Sequence, residues 1–238
     1  TNLKKDNAEI KTVEHLLAAI LGASIDNIII KSDNIEIPIL DGSSKIFSEL
    51  ISESGIREQK KDKKFFEIKK EIILEDEENG IMFKATPSKD YQLEVIIDYN
   101  SQILGLQSAQ LKSIADFQEK IASSRTFCFL HELKYLIKKG LIKGGDINNA
   151  IVIVEKTTTK KELDNLAKLF KKNKLTVTKE GTLNNTKLRY KNEPARHKLL
   201  DLIGDLSLIG RPIKGKITAT KPGHKNNVKF AKYIKNNN

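Results

Sequence analysis

The sequence predicts an α+β fold in which helices pack on an antiparallel sheet, and three stretches carry this prediction. Residues 65–100 contain strand-like runs of apolar residues and the hairpin turn Asn79-Gly80. Residues 192–206 place apolar side chains around most of a helical circumference, which is typical of a well-buried helix. Residues 159–172 open with a capping box and have helical periodicity. Helices and strands are therefore both expected, with the sheet built from the middle of the chain.

The N-terminal stretch predicts two helices with strands between them. Residues 11–24 are expected to form a short helix that Thr12 caps and Gly22 ends. The isoleucine-rich segment that follows, up to the DGS turn at 41–43, has strand-like runs. Residues 46–56 then predict a second helix.

The rest of the chain alternates helices and strands beyond a charged segment, 57–64, which is the best candidate for a linker. Before residue 155, we expect strands in 65–100, with a second turn at ATPSKD after the one at Asn79-Gly80. We then expect a helix at 111–124, a second helix within 125–140 and a buried strand at 147–154. Beyond it, we expect a helix at 159–172 with the Thr159/Glu162 box, a helix at 192–206 bounded by Asn192, Pro194 and Gly210, and a strand, a loop with His224 and a final helix in 215–235.

Composition narrows the class of protein. The net charge is +11, but the excess consists of scattered lysines, arginine is scarce and tryptophan is absent. A nucleic-acid partner is therefore not expected, although an anionic ligand would be electrostatically favoured. No apolar run approaches the length of a membrane span. The single cysteine, Cys128, excludes an internal disulfide and fits a cytoplasmic protein.

A polar stripe on an otherwise apolar helix is the first sign of a functional site. His197, Asp201 and Asp205 recur at intervals of four, so they share one helix face. Burying an unpaired carboxylate costs several kcal/mol, so the stripe requires a compensating partner. His197 and Asp201 at this spacing can both reach one metal ion. The alternative is an ordinary His–Asp pair on a helix surface, which fits poorly with the apolar surroundings.

The other histidines differ in their context. His15 follows Glu14, a pair in which the imidazole can bind a metal while the carboxylate reaches a water on it, as in zincins. His224 lies in a Pro-Gly segment with backbone freedom, and His131 is interpreted as structural. Two histidines and one carboxylate leave an open coordination position, which is typical of catalytic zinc, but non-haem iron uses the same set.

Several other functions lack support in the sequence. It contains no P-loop, no GxGxxG, no nucleophile elbow and no CxxC, so P-loop nucleotide hydrolysis, dinucleotide redox chemistry and serine esterase chemistry are not indicated. Two alternatives to a metal-dependent enzyme remain: a catalytically inactive zinc-binding or assembly fragment, and a basic nucleic-acid-binding domain. Metal content distinguishes them, because only the first of these two binds stoichiometric zinc.

Six motifs occur in an order that resembles a known family. They are TVEHLLAAILGASIDNIII, EIPILDGSS, SRTFCFL, GLIKGGDINNAIVI, RHKLLDLIGDL and KPGHKNN. In this order they resemble the zinc-dependent UDP-3-O-acyl-N-acetylglucosamine deacetylases of lipid A synthesis, over nearly the whole chain. NEPARHK and the helix at 159–172 resemble the Bacteroidota variant, which is fused to a 3-hydroxyacyl-carrier-protein dehydratase. The resemblance implies a UDP-sugar lipid as substrate and a fused or associated dehydratase as partner.

The resemblance also implies roles for individual residues. His15, His197 and Asp201 would be the zinc ligands. Glu14 would be the general base and His224 the general acid.

Further residues would support catalysis and substrate binding in this family. Asp205 would support the general acid, and Thr126 would donate its hydroxyl to the oxyanion. Lys198 and Phe127 would contact the UDP-sugar.

The fold that the resemblance implies has two β/α domains of similar topology, each a sheet packed on two helices, with the active site between them. Residues 1–60 would be the remainder of the first domain, which is truncated relative to the family, and residues 65–238 would be the second. An insert at about 130–152 would form a passage for the acyl chain, lined by Leu130, Leu133, Ile142, Gly145 and Val152.

Overall fold

The computed structural model describes residues 1–138 and 147–238, and both helices and strands are present, as predicted. The helices are α1 (Glu14–Gly22), α2 (Lys45–Ser54), α3 (Phe117–Lys120), α4 (Leu130–Lys138), α5 (Lys160–Leu169), α6 (Glu193–Leu206) and α7 (His224–Asn237). The strands are β1 (Leu3–Lys5), β2 (Ala8–Ile10), β3 (Phe66–Glu67), β4 (Ile72–Asp76), β5 (Ile81–Thr86), β6 (Tyr91–Ile97), β7 (Gln107–Leu111), β8 (Phe127–Phe129), β9 (Ile151–Ile153) and β10 (Ile213–Thr220). The fold class is therefore α+β.

The largest sheet of the described residues has the strand order β4-β5-β10-β6-β7, and β3 pairs with β10. The Asn79-Gly80 turn joins β4 to β5 as predicted, with Gly80 in the left-handed region at φ 61°. The second predicted turn, ATPSKD, connects β5 to β6, but the two strands do not form a hairpin because β10 lies between them. β10 pairs antiparallel with β5 and parallel with β6. Its alternating side chains are buried on one face, which suits a central strand.

Helices α6 and α7 cover one face of this sheet. α6 contacts β6 and β7, and α7 contacts β4. The Phe230 ring of α7 lies 5.0 Å from the Phe83 ring of β5, measured between centroids. Pro194 occupies the first turn of α6, as predicted. α6 ends at Leu206, earlier than predicted, and Gly210, at φ 84°, ends the 3-10 helix Ser207–Ile209 that follows it. Asn192 occupies the N-cap position, but its side chain donates to the Ser108 carbonyl instead of capping the helix.

Helix α1 packs on α6 and is shorter at both ends than predicted. Val13, not Thr12, is the N-cap residue. Thr12 has a φ of 58° and its hydroxyl donates to Glu36, so its side chain is turned away from the helix. α2 matches its prediction and ends before Gly55, whose φ is 74°.

The strands predicted between α1 and α2 are absent from the structure. Residues 25–40 contain one isolated bridge, between Lys11 and Glu36. Ile29 of this segment is 86% exposed, and Ile28, Ile30 and Ile35 are exposed as well. β-branched residues form a strand only when a neighbour pairs with their backbone, and no described strand lies beside them. Residues 57–64 form no helix or strand.

The helix predicted at 111–124 is also wrong. Leu111 ends β7, and the Ser113 side chain accepts from the Ala115 nitrogen, so the chain turns before the four-residue α3. The predicted second helix is correct only from Leu130, because Phe127–Phe129 form β8.

The pair β8–β9 is parallel and separates two apolar clusters. Phe129, Ile151 and Ile153 belong to the main core, whereas Leu130 and Val152 face the second cluster with α5. α5 carries the predicted Thr159/Glu162 capping box. Among the described residues, no helix is long and apolar enough to cross a membrane.

Candidate metal centre

Two histidines and one carboxylate from α1 and α6 meet at one buried point. The Nε2 atom of His197 lies 3.3 Å from Asp201 Oδ1, and Nε2 of His15 lies 3.7 Å from the same oxygen. One potential ligand atom from each of the three lies within 4.8 Å of the others. The polar stripe of α6 therefore faces His15, as a metal-site interpretation of the sequence requires.

A close approach of two helices brings the three side chains together. A Cβ atom on Gly204 of α6 would lie 2.1 Å from the Glu14 carbonyl oxygen of α1, so any larger side chain would separate the helices. The Ser44 hydroxyl donates to the His15 carbonyl at 2.7 Å and ties the start of α2 to α1. Glycine at position 204 therefore sets how near α1 comes to the stripe.

The donor set fits a divalent metal ion. Asp201 Oδ1 and His15 Nδ1 are buried and have no hydrogen-bond partner among the described residues, a costly condition that coordination would relieve at the carboxylate. His197 Nδ1 lies 3.1 Å from the Ser124 carbonyl and donates to it, which leaves the Nε2 lone pair for a ligand. Burial lowers the pKa of His197 to about 3, so its imidazole is neutral, the form that binds metals.

Lys198 lies beside the candidate metal centre, and its positive charge balances the negative charge of Asp201. Its Nζ donates to Asp201 Oδ2 at 2.9 Å and lies 5.6 Å from the centre of the Phe127 ring. Burial opposes the charge on Lys198, but the Asp201 carboxylate outweighs it and the pKa of Lys198 is raised. Burial likewise opposes ionisation of Asp201, yet His197 and Lys198 hold its pKa well below the usual value. The structure thus brings together the two residues predicted to contact a UDP-sugar.

Glu14 and His224 approach the centre from its other side. His224 Nε2 lies 3.6 Å from Glu14 Oε1 and 3.9 Å from Asp201 Oδ2. His224 Nδ1 donates to Asp205 Oδ2 at 2.9 Å. Burial lowers the pKa of His224, but the hydrogen bond to Asp205 and the nearby carboxylates raise it overall. The predicted loop position is wrong, since His224 is the first residue of α7.

Two polar neighbours were missed by the sequence analysis. The Thr1 hydroxyl donates to Asp205 Oδ1. Asn227 donates its side-chain amide to Asp205 Oδ2 at 2.8 Å. No local sequence pattern identifies Thr1 as a neighbour of the site. Asn227 stands one helical turn after His224, but the sequence analysis placed His224 in a loop, so this shared helix face was not visible.

Thr126 is held in place by its backbone and by a buried ion pair next to it. Its nitrogen donates to the Gly42 carbonyl and its carbonyl accepts from the Ile151 nitrogen, both at 2.8 Å. The preceding residue, Arg125, forms a 2.9 Å bond from Nε to Glu193 at the start of α6. Segment 124–126 and α6 are thus fixed to each other near the metal centre.

Replacing Glu193 by Gln should strongly destabilise the protein. Glu193 is fully buried and accepts from Arg125 and from the Arg189 nitrogen. Removing one charge of a buried pair costs roughly 3–5 kcal/mol because the other charge stays buried. Urea denaturation should show this loss for Glu193→Gln and almost none for Glu53→Gln, an exposed matched control. Equal stability of the two variants would contradict the assigned role of the pair.

The residues predicted to line an acyl passage are partly described. Leu130, Leu133 and Val152 lie together in the second apolar cluster, packed with Leu166 and other residues. Ile142 and Gly145 lie outside the described residues. His131 stacks on Phe129, with 5.6 Å between the ring centroids.

The fold and the site together define the class of this protein: an α+β protein whose helices bring two histidines and one carboxylate into a candidate metal centre. A sequence profile of the LpxC family, described as UDP-3-O-acyl N-acetylglycosamine deacetylase, matches residues 1–165 and 165–236. The chain belongs to this family.

Individual relatives agree with the family assignment. The chain is 42% identical over 235 residues to "Bifunctional enzyme LpxC/FabZ" of Bacteroides thetaiotaomicron and 40% identical to the protein of the same name in Porphyromonas gingivalis, covering 99% of this chain. It is 36% identical over 236 residues to "UDP-3-O-acyl-N-acetylglucosamine deacetylase" of Chlamydia pneumoniae, covering 98% of this chain and 74% of that protein. The chain spans 51% of the length of the two bifunctional relatives.

Proposed function

We propose that this chain contributes the active site of a zinc-dependent amidohydrolase. Its substrate is a UDP-3-O-acyl-N-acetylglucosamine, whose N-acetyl group is hydrolysed to give the free amine and acetate in lipid A biosynthesis. The observation that carries the proposal is the buried group of His15, His197 and Asp201 next to Glu14 and His224. Membership of the deacetylase family and the names of the relatives support the substrate class.

The residues that would hold the metal are His15, His197 and Asp201. Zinc suits the proposed reaction, because hydrolysis involves no redox step and three protein ligands leave a coordination position open. When bound there, zinc would supply Lewis-acid polarisation and make water acidic enough to react near neutral pH.

The protein's own groups divide the proton transfers between them. Glu14 takes a proton from the attacking water, and its position beside His15 on α1 supports this role. His224 then gives the proton on its own Nε2 atom to the nitrogen of the leaving amine. An amine is a poor leaving group unless it is protonated, so the reaction needs an acid as well as a base. Asp205 keeps the His224 ring oriented through Nδ1.

Further side chains would bind the substrate. Thr126 donates its hydroxyl to the oxyanion that forms on the acetamide carbonyl. Lys198 and Phe127 contact the UDP-sugar, and Lys198 Nζ lies 5.6 Å from the centre of the Phe127 ring. The positive charge of Lys198 suits a diphosphate. Leu130, Leu133, Ile142, Gly145 and Val152 contribute to the acyl passage.

The proposal extends to the organisation of the whole protein. Residues 1–60 and 65–238 belong to two domains, and α1 of the first supplies Glu14 and His15 to the site shared with α6 and α7. The names of the bifunctional relatives support a dehydratase part in the complete polypeptide. The protein acts in the cytoplasm.

Acetate release is the direct test of this function. The purified full-length protein with one equivalent of zinc should release acetate from UDP-3-O-(3-hydroxyacyl)-N-acetylglucosamine in step with free amine. UDP-N-acetylglucosamine without the acyl chain should react far more slowly, because each buried methylene contributes about 0.8 kcal/mol of binding. Stoichiometric zinc binding with no acetate release would instead support an inactive zinc-binding protein.

The rate should fall on the alkaline side as His224 loses its proton. The pKa of His224 is raised above its ordinary value of 6.5, so the ring remains an acid to a higher pH than a free imidazole. Activity that needs the protonated ring is therefore present below this raised pKa and lost as the pH rises through it. A kcat/KM profile should show this descending limb. Its persistence at the same pH in a residually active His224→Gln variant would remove His224 from the acid role.

A further inference from the structure

The carboxylate behind His224 is fully buried and accepts three hydrogen bonds. Asp205 Oδ1 accepts from the Thr1 hydroxyl. Asp205 Oδ2 accepts from both His224 Nδ1, at 2.9 Å, and Asn227 Nδ2, at 2.8 Å. The last two donors stand one turn apart on α7 and share one oxygen atom, so their geometry is coupled through it.

Asn227 is an energetically unfavourable residue for a fully buried position. Its side chain is 0% exposed, and its own Oδ1 has no hydrogen-bond partner among the described residues. A buried carbonyl oxygen without a partner lowers stability, so an apolar residue of similar size would suit the packing better. The neighbouring buried residues of α7, Phe230, Ala231 and Ile234, are apolar. The feature that an apolar side chain could not supply here is the amide donor to Asp205.

We propose that Asn227 is a positioning residue for the general acid: it fixes the carboxylate plane of Asp205, and Asp205 in turn fixes the imidazole of His224. One side of Oδ2 is occupied by the Asn227 amide, which leaves the other for the His224 Nδ1–H. This bond determines the tautomer and directs Nε2 towards Glu14 Oε1, 3.6 Å away. Without the amide, Asp205 keeps its bond to Thr1 but can turn about it. The inference rests on the acid role given to His224 in the proposed function.

A double-mutant cycle separates positioning from a purely structural role. In the wild-type background, Asn227→Ala should lower kcat by about 10–100-fold with little change in KM and with zinc content unchanged, the size seen for residues that orient a reactive imidazole. In the His224→Ala background, Asn227→Ala should have almost no further effect, because the group that it positions is already gone. A structural residue would cause the same loss in both backgrounds, and that result would overturn the proposal.

A matched control and a second variant distinguish the loss of positioning from a loss of folding. Asn226→Ala makes the same chemical change at the neighbouring position, for which the structure records no side-chain bond to Asp205, and it should leave kcat unchanged. Asn227→Leu keeps the buried volume without the donor, and it should reproduce the loss of kcat with an unfolding temperature near that of the wild type. A normal kcat in a folded Asn227→Leu protein would overturn the proposal.

Nuclear magnetic resonance gives a readout that does not depend on turnover. The His224 Nδ1–H, held against a buried carboxylate, should give a sharp downfield proton resonance that disappears in His224→Ala. It should broaden or vanish in Asn227→Ala and persist in Asn226→Ala. If the protein released no acetate, the proposed function would fail while this resonance could still report the positioning. An unchanged resonance in Asn227→Ala would overturn the inference alone.

Discussion

Asp201→Ala should abolish acetate release by removing the metal. Asp201 is the only carboxylate of the three-residue metal group, and its Oδ1 is the atom that both histidine Nε2 atoms face. Without it, only the two imidazoles remain, and they bind a divalent ion far more weakly than the complete set. Metal analysis after dialysis should find the variant with little zinc. Asp164→Ala, an exposed aspartate change on α5, should keep full zinc and full turnover.

The variant also leaves the charge of Lys198 without a partner, and the effect of this on stability has to be distinguished from the effect of losing the metal. Lys198 Nζ lies 2.9 Å from Asp201 and is partly buried, so Asp201→Ala leaves the ammonium group without its partner and should lower stability. The double variant Asp201→Ala/Lys198→Met removes both charges and should recover stability without recovering zinc. Full zinc content and near-normal turnover in folded Asp201→Ala would show that the ligand assignment is wrong.

Glu14→Gln should also lose turnover, but unlike Asp201→Ala it should retain zinc. Glu14 is buried, but it is not one of the three grouped residues that could bind the metal. Glutamine keeps the size of the side chain and cannot accept a proton from water. General bases contribute about 10²–10⁴-fold, so kcat should fall by that factor. The measurement is acetate release at saturating substrate together with zinc content.

Glu53→Gln, on the exposed end of α2, is the matched control for this change. It should match the wild type in both assays. Loss of zinc from Glu14→Gln would indicate that Glu14 is a ligand rather than a base. Turnover equal to that of the control would remove Glu14 from the proton transfer altogether.

The helix that carries the metal site was predictable because its signals are local. His197, Asp201 and Asp205 reveal a shared face through their spacing alone, and helical periodicity is independent of the rest of the fold. Pro194 correctly marked its start for the same reason, whereas Gly210 ends the 3-10 helix that follows it. The approach of α1 to this face depends on the contact between Gly204 of α6 and Glu14 of α1, which are far apart in the chain, so helical spacing could not predict the contact distances.

The errors fall where distant parts of the chain decide the structure. The position of β10 between β5 and β6 is set by pairing over more than 100 residues, which no turn signal reports. Residues 111–124 have helical periodicity, but Leu111 pairs in β7 and Ser113 starts a turn. The isoleucines of 25–40 have strand propensity without a described strand to pair with.

Asn227 illustrates a second kind of limit. Its role depends on an unpaired buried oxygen and on a carboxylate shared with His224, and neither is a property of local sequence. A lysine- and asparagine-rich chain offers many asparagines, so composition gives no reason to single one out.

Anomalous diffraction at the zinc absorption edge is the most direct test of the central claim that His15, His197 and Asp201 form one catalytic zinc site. Crystals of the full-length protein grown with one equivalent of zinc should show one strong anomalous peak among these three residues. The peak should lie about 2.0–2.2 Å from one nitrogen of each histidine and from a carboxylate oxygen. Zinc bound elsewhere, with the three side chains still in contact with one another, would contradict the account.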